Sequence, residues 1–325
     1  MSVRNLQTVS GPGVFTQGAI NAINSNFTSL SDVDVWLRPQ YGNNNGNGSV
    51  RNPHGSYDNP FATMAGLASV LFPGIVIGFE GVLKENYVAP DINDVTIRGV
   101  ANQPRQATDS GVANGGGATW LNPGTVASPL IHVASGALDK PSQAWRFENI
   151  FFNNAGDAPC IKLDRKITGA DSSHASVYGC WFTGADSGIQ TGEIINLTVD
   201  GCLFFDFVGA TDCGIEASIA GGIANPPYLQ WVISNNRFVN NVDHVVGALR
   251  NATIYGNNFI VIGRTVTTTI CLSLAGGANN SVYNNMFNRP LNTSPNATLY
   301  AGGTNDSWSQ NYGSDDIFFG VPDNS

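Results

Sequence analysis

The chain has 325 residues, 42% hydrophobic and only 12% charged, with a formal charge of -9 and a pI near 4.7. That composition suits one large domain or two ordinary ones and excludes a disordered chain. With only 15 basic residues, in no cluster, it also argues against a nucleic-acid partner.

The opening MSVRNLQTVSGPG lacks the apolar core of a secretory leader. No apolar run approaches the roughly 18 residues that span a bilayer, so synthesis in a cytoplasm without membrane insertion is expected. From Thr16 to Leu30, the apolar residues Ile20, Ile23, Phe27 and Leu30 fall at 3, 4, 3 spacing, the seam of a two-heptad helix. A helix this short is marginal alone, so it must dock, on its own body or on an assembly. Residues 1–40 are therefore expected to form an assembly arm. Residues 41–54, which include NNNGNGS, are expected to be a flexible linker.

Next come GSYDNPFATM from Gly55, a short apolar helix ending near Leu71, then PGIVIGFEG from Pro73 and ENYV from Glu85. Beyond them a six-residue pattern recurs at 147–152, 177–182, 199–204, 233–238, 254–259 and 282–287: apolar, any, Gly or Asn, then Asn, Cys or Ile, any, Phe. Gly and Asn most easily take positive φ, so each copy predicts a sharp bend between two extended pieces. The closing Phe starts the next strand, facing in. Successive phenylalanines are 30, 22, 34, 21 and 28 residues apart, which suits stacked coils with variable loops.

About ten residues after each Phe a second apolar strand follows, from Ile161, Ile189, Ile215, Val246, Leu272 and Leu299. Three short strands per coil and no helical period predict a parallel β-helix over residues 55–313, with 314–325 as a tail. In such a solenoid Asn236, Asn257 and Asn285 form an inward ladder. Asn311 adds a rung, and Cys180, Cys202 and Ile150 continue the column as groups needing no partner. Cys180 and Cys202 would be close enough for a disulfide, but reduced stacked thiols are expected. The five cysteines show no zinc spacing.

The segment from Gly55 to Val88, with the coils, resembles the pectate-lyase-like right-handed β-helix superfamily. Ile75 stands where that family usually carries aspartate. The resemblance implies an all-β, right-handed, single-stranded parallel β-helix with a helical cap on the first coil. The superfamily's activities are broad: lyases, polysaccharide hydrolases, tailspikes and capsid-associated proteins. The stretch AINSNFTSL is similar to N-terminal segments of tailed-bacteriophage virion proteins.

A polysaccharide hydrolase needs two carboxylates about 5 Å or 6.5 to 9.5 Å apart. On the outward row Glu148, Tyr178, Asp200, Ser234, Tyr255 and Tyr283, Glu148 and Asp200 lie two coils apart, about 9.6 Å. A polar solvated face explains the same row. A second column, Asp157, Asp186, Asp212 and Asp243, reads as turn caps, with stacked acids that would raise a pKa or attract a cation. Glu216 is a lone acid, and His244 reads as a turn residue. The polygalacturonase and pectate-lyase motifs are missing, and no cofactor or metal is implied.

The expectation is a structural virion protein of a tailed bacteriophage: a homotrimeric capsid decoration or cement protein at the particle surface. Its partners would be the major capsid protein or tail and portal proteins. The alternatives are a tailspike that cleaves host polysaccharide through Glu148, Asp200, Asp186 or Asp212, and a non-catalytic adhesin that binds host surface glycan through Tyr178, Tyr255 and Tyr283.

Overall fold

The computed structural model describes residues 32–44, 55–100, 117–124, 126–134, 144–164, 174–192, 194–209, 212–218, 230–260, 270–288, 300–313 and 318–319. Three sheets wrap one core in a right-handed parallel β-helix. The first runs from Val35–Leu37 to Ser307–Ser309 in ten strands, and the third from Tyr87–Val88 to Tyr300–Ala301 in eight. The second, also of ten strands, runs from Gly81–Lys84 to Asn311–Gly313 and closes on Phe318–Phe319, its one antiparallel member.

Two boundaries differ from the sequence reading. Val35 pairs with Ile77 in the first sheet, so the solenoid starts inside the segment expected to be an arm. Phe318–Phe319 pairs with Asn311 and Tyr312, so the expected tail contributes a strand. Ile20, Ile23, Phe27, Leu30 and most of the linker lie outside the described residues.

The phenylalanines of the repeat fall in register along the second sheet and stack through the core. Ring centroids from Phe152 through Phe182, Phe204, Phe238 and Phe259 to Phe287 are separated by 5.1, 4.7, 4.9, 5.0 and 4.9 Å. These distances match the spacing of adjacent strands. Each of these rings is at most 1% exposed, and burying one is worth roughly 1.5–3 kcal/mol. The stack therefore sets the register of all six coils.

The bends follow from residue type. Asn149, Gly179, Gly201, Asn235, Gly256 and Asn284 all have φ between 54° and 66°. Neighbouring bends are coupled: a Cβ on Gly256 would lie 2.7 Å from Asn235 Oδ1, so glycine is needed where the preceding Asn leans over it.

Behind each bend, Asn236, Asn257, Asn285 and Asn311 form a continuous ladder. Asn236 donates Nδ2 to Asn257 Oδ1 at 3.1 Å, Asn257 to Asn285 at 2.9 Å, and Asn285 to Asn311 at 3.0 Å. Each Oδ1 also accepts the backbone N–H of the coil before it, as Asn236 does from Cys202 at 2.8 Å. The thiols are not partnerless, as the sequence suggested. The Cys202 sulfur accepts the Cys180 N–H and the Cys180 sulfur accepts the Ile150 N–H, so the ladder continues in weaker form. All five cysteines are free and buried.

The same two-residue device turns the other corners. Asn240, at φ 59°, is followed by buried Asn241, whose Oδ1 accepts the Phe207 N–H at 3.1 Å. Asn279, at φ 57°, is followed by Asn280, which donates to Asp306 Oδ1 at 2.9 Å. Both pairs of WVISNNRFVNNV (231–242) are therefore a bend plus a rung.

The first coil is closed deliberately. The chain around Phe61 pairs with Trp36 and Arg38 on the open side of Val35–Leu37. The Gln40 amide pairs with Val82 N–H and C=O as a strand residue would, protecting an edge that would otherwise template aggregation. The expected apolar helix is one short α-helix, Met64–Leu67, followed by a 3-10 turn, Ala68–Val70. Its free N–H groups are met by the Thr63 hydroxyl and by both Glu85 carboxylate oxygens. Ile75, the departure from the family pattern, is fully buried in the core.

Candidate functional site

The first sheet alternates inward apolar residues with two outward rows. One carries Arg98, Glu148, Tyr178, Asp200, Ser234, Tyr255, Tyr283 and Ser309, each in register with the next. The parallel row is mostly hydroxyl: Thr96, Arg146, Ser176, Thr198, Val232, Thr253, Ser281 and Ser307.

Glu148 and Asp200 flank Tyr178 on its two sides, but each is committed elsewhere. Arg98 Nε contacts Glu148 Oε2 and Arg146 Nε contacts Oε1. With both oxygens taken and the residue 7% exposed, Glu148 has no free oxygen with which to protonate a leaving group. Asp200 Oδ1 accepts the Ser234 hydroxyl at 2.7 Å and the Asn235 amide at 2.8 Å, which ties it to the bend of the next coil.

The tyrosines are arranged differently from one another. Tyr255 and Tyr283 stack at 5.3 Å with 5° between their planes. Their far faces look over Ser234 and Ser309, side chains too small to cover a ring. Tyr178 instead lies under the Arg146 guanidinium, 4.4 Å from its centroid. Sequence reasoning found the tyrosines and Glu148 but missed Arg98 and Arg146. The signal was present, since Arg146 is two residues before Glu148 and so shares its face.

The aspartate column divides. Asp186 and Asp212 each precede residues that pair, Ser187 with Cys213, but Asp243 itself pairs with Cys213 and so sits one position on. Asp212 accepts the Gly209 N–H at 2.6 Å, a turn cap. Burial raises the Asp212 carboxyl pKa, and the charge of Asp157 raises it further. Burial, then the charges of Glu216, Asp212 and Asp157, raise that of Asp186.

Glu216 is not a lone acid: it accepts Gln190 Nε2 at 2.8 Å and the Ser187 hydroxyl at 3.1 Å. On the same third sheet His132 Nε2 lies 2.8 Å from Asp164, whose pKa is lowered by His132 and Lys162 against the effect of burial. Among the described residues no group of three or more His, Cys, Asp or Glu is placed to hold a metal ion. His244 is not a turn residue but lies in the strand Asp243–Val246, fully buried.

No family model matches the chain, and no curated protein matches it by sequence. Among solved structures it is similar to PfbA, a surface adhesin of Streptococcus pneumoniae, at 10% identity with a TM-score of 0.39 over 74% of this chain. The chain spans 60% of the length of that adhesin. It is also similar to a GH136 lacto-N-biosidase from Eubacterium ramulus, at 10% identity with a TM-score of 0.45 over 91% of this chain and 70% of that one. A rhamnogalacturonan lyase aligns over 89% of this chain and 90% of its own, at 13% identity with a TM-score of 0.30.

Proposed function

We propose that the protein is a β-helical scaffold whose first-sheet outer face binds glycan without cleaving it. The observation that carries this reading is the Tyr255–Tyr283 stack with serine on either side. Aromatic faces give the apolar side of a sugar ring a surface to lie on, and the tyrosine tips remain polar. The adjacent row of serine and threonine hydroxyls both donates and accepts hydrogen bonds. Among the described residues this face has no free carboxylate pair, which favours binding over cleavage. Replacing Tyr255 and Tyr283 by Ala should remove binding to host surface glycan while leaving the melting transition in place; undiminished binding would overturn the reading.

Within it, the finer assignment is a homotrimeric capsid decoration protein of a tailed bacteriophage, displayed on the particle. Its support is sequence alone: the Ile20, Ile23, Phe27 and Leu30 seam and the resemblance of that segment to virion proteins. Because Val35–Leu37 belongs to the first sheet, the informative truncation removes residues 1–31. The product should stay folded and lose particle association, and retained association would exclude the arm as the attachment element. A cleaving enzyme is favoured by one observation: Asp186 and Glu216 share the Ser187 hydroxyl, at 3.2 and 3.1 Å, and burial with the charge of Glu216 raises the Asp186 pKa, the direction a general acid requires. Release of oligosaccharide by the wild type but not by Asp186→Asn would establish that reading instead.

A further inference from the structure

We infer that the Arg98–Arg146 pair is an anion-recognition element at one end of the same face, so that the glycan bound there carries an acidic group, a carboxylate, sulfate or phosphate. This rests on the glycan-binding reading above and adds the chemical class of ligand.

Glu148 is 7% exposed, and a carboxylate that deeply placed needs a cation partner. One guanidinium would suffice. The structure supplies two, each touching Glu148 through Nε, so the cluster of Arg98, Arg146 and Glu148 keeps one excess positive charge. The terminal nitrogens, the fork that matches a carboxylate or sulfate in two parallel hydrogen bonds, are not used in either contact with Glu148.

Arg146 is also held in place. Its side chain is 48% exposed, yet the guanidinium is fixed between Glu148 and the Tyr178 ring. A rigid guanidinium loses little freedom on binding. In a chain of net charge -9, a local positive surplus at a half-exposed position is contrary to the background and would draw an anion to this point.

The register places the Arg146 coil four strand steps from that of Tyr255, about 19 Å along the axis. A linear oligosaccharide laid along the row would reach both, with its acidic group on the arginines and a ring on the tyrosines. Asp200 lies midway between them and keeps its negative charge, since its two donors, Ser234 and Asn235, are neutral, so the acidic group is expected at the Arg146 end rather than beside Asp200.

The test compares matched probes at physiological salt: dextran, dextran sulfate, a phosphorylated dextran and an alginate oligosaccharide. The wild type should bind at least one charged probe about tenfold more tightly than dextran, the gain of one charge-assisted pair. Arg146→Gln should erase that preference, and Arg146→Lys, which keeps the ion pair to Glu148, should weaken it. Tyr255→Ala should lower binding of charged and neutral probes alike. Equal binding of charged and neutral probes, or a preference that survives Arg146→Gln, overturns the anion site and leaves glycan binding standing. Binding of none of the probes overturns both.

Discussion

The inner column at the first bend carries thiols at Cys180 and Cys202 and amides from Asn236 to Asn311, and the two halves solve one problem differently. At each bend a backbone N–H points inward, where no water can meet it. In the amide half the next coil's Oδ1 accepts it, and the same side chain returns Nδ2 to a carbonyl, as Asn257 does to Ile233 at 2.9 Å. In the thiol half a sulfur accepts the N–H and its own weak hydrogen reaches a carbonyl at 3.4 to 3.6 Å. An amide is the stronger partner in both roles. The difference teaches that a buried asparagine here is not a polar cost but a replacement for the hydrogen bonds that a regular strand would have made.

The largest break in that comparison should come from Asn257→Leu. Asn257 serves the backbone and side chain of Asn236 and the carbonyls of Ile233 and Tyr255, and rests on Asn285. Its loss strands several buried groups at once, so unfolding in denaturant should show a loss of about 3 to 5 kcal/mol. Asn257→Cys converts the site to the thiol form and should lose roughly half as much. Equal losses would mean that the thiol half is filler and no ladder at all.

A smaller effect tests where the amide half is incomplete. His244 lies between the Phe238 and Phe259 rings, and its Nδ1 meets the Asn241 amide at 3.1 Å. Nε2 is buried without a partner among the described residues. Burial pushes the imidazole pKa down to about 3 from 6.5. Its folded value is therefore below the unfolded one, and between them only the unfolded chain takes up the proton. The neutral ring's contribution is whole above pH 6.5 and is lost as the pH falls towards 3, at about 1.4 kcal/mol per pH unit. His244→Phe should flatten that part of the stability profile, and an unchanged slope would exclude His244 as its source.

Much of this was legible in the sequence, and for a physical reason. A coil repeats every bend and every inward ring, so the Asn or Gly before a fixed Phe could be aligned without any structure. The corner at Asn240 was not legible because the second corner recurs at irregular distance from the first. Its signature is only two residues long, a positive-φ residue and then a rung. The Asn279–Asn280 and Asn305–Asp306 pairs carry the same signature. The outer face was half legible. Alternation placed Glu148, Tyr178 and Asp200 together, but what each carboxylate touches depends on Arg98 and Ser234, which come from neighbouring coils. Of the two partners of Glu148, Arg98 is 50 residues away and out of reach of a local reading, whereas Arg146, two residues before it, was legible and overlooked. The arm remains an expectation from heptad spacing, outside the described residues.

The smallest effect sharpens the thiol side. Cys202→Ala removes one sulfur acceptor from Cys180 N–H but leaves the Cys202 backbone N–H on Asn236, so a loss of about 1 to 2 kcal/mol is expected. Cys202→Asn supplies a stronger acceptor at the same place and should recover that loss only if the bend behind Gly201 has room for an amide. The thiols also offer a readout independent of stability. Burial pushes the Cys180 pKa up to about 12 and that of Cys202 well above its usual value, so neither presents a thiolate near neutral pH. A thiol reagent should label them at the rate of unfolding, and Asn257→Leu should raise that rate in proportion to the stability it removes. Rapid labelling of the wild type would show that the column opens locally, and the thiol half would then be the weak seam of the solenoid rather than a weaker version of the same ladder.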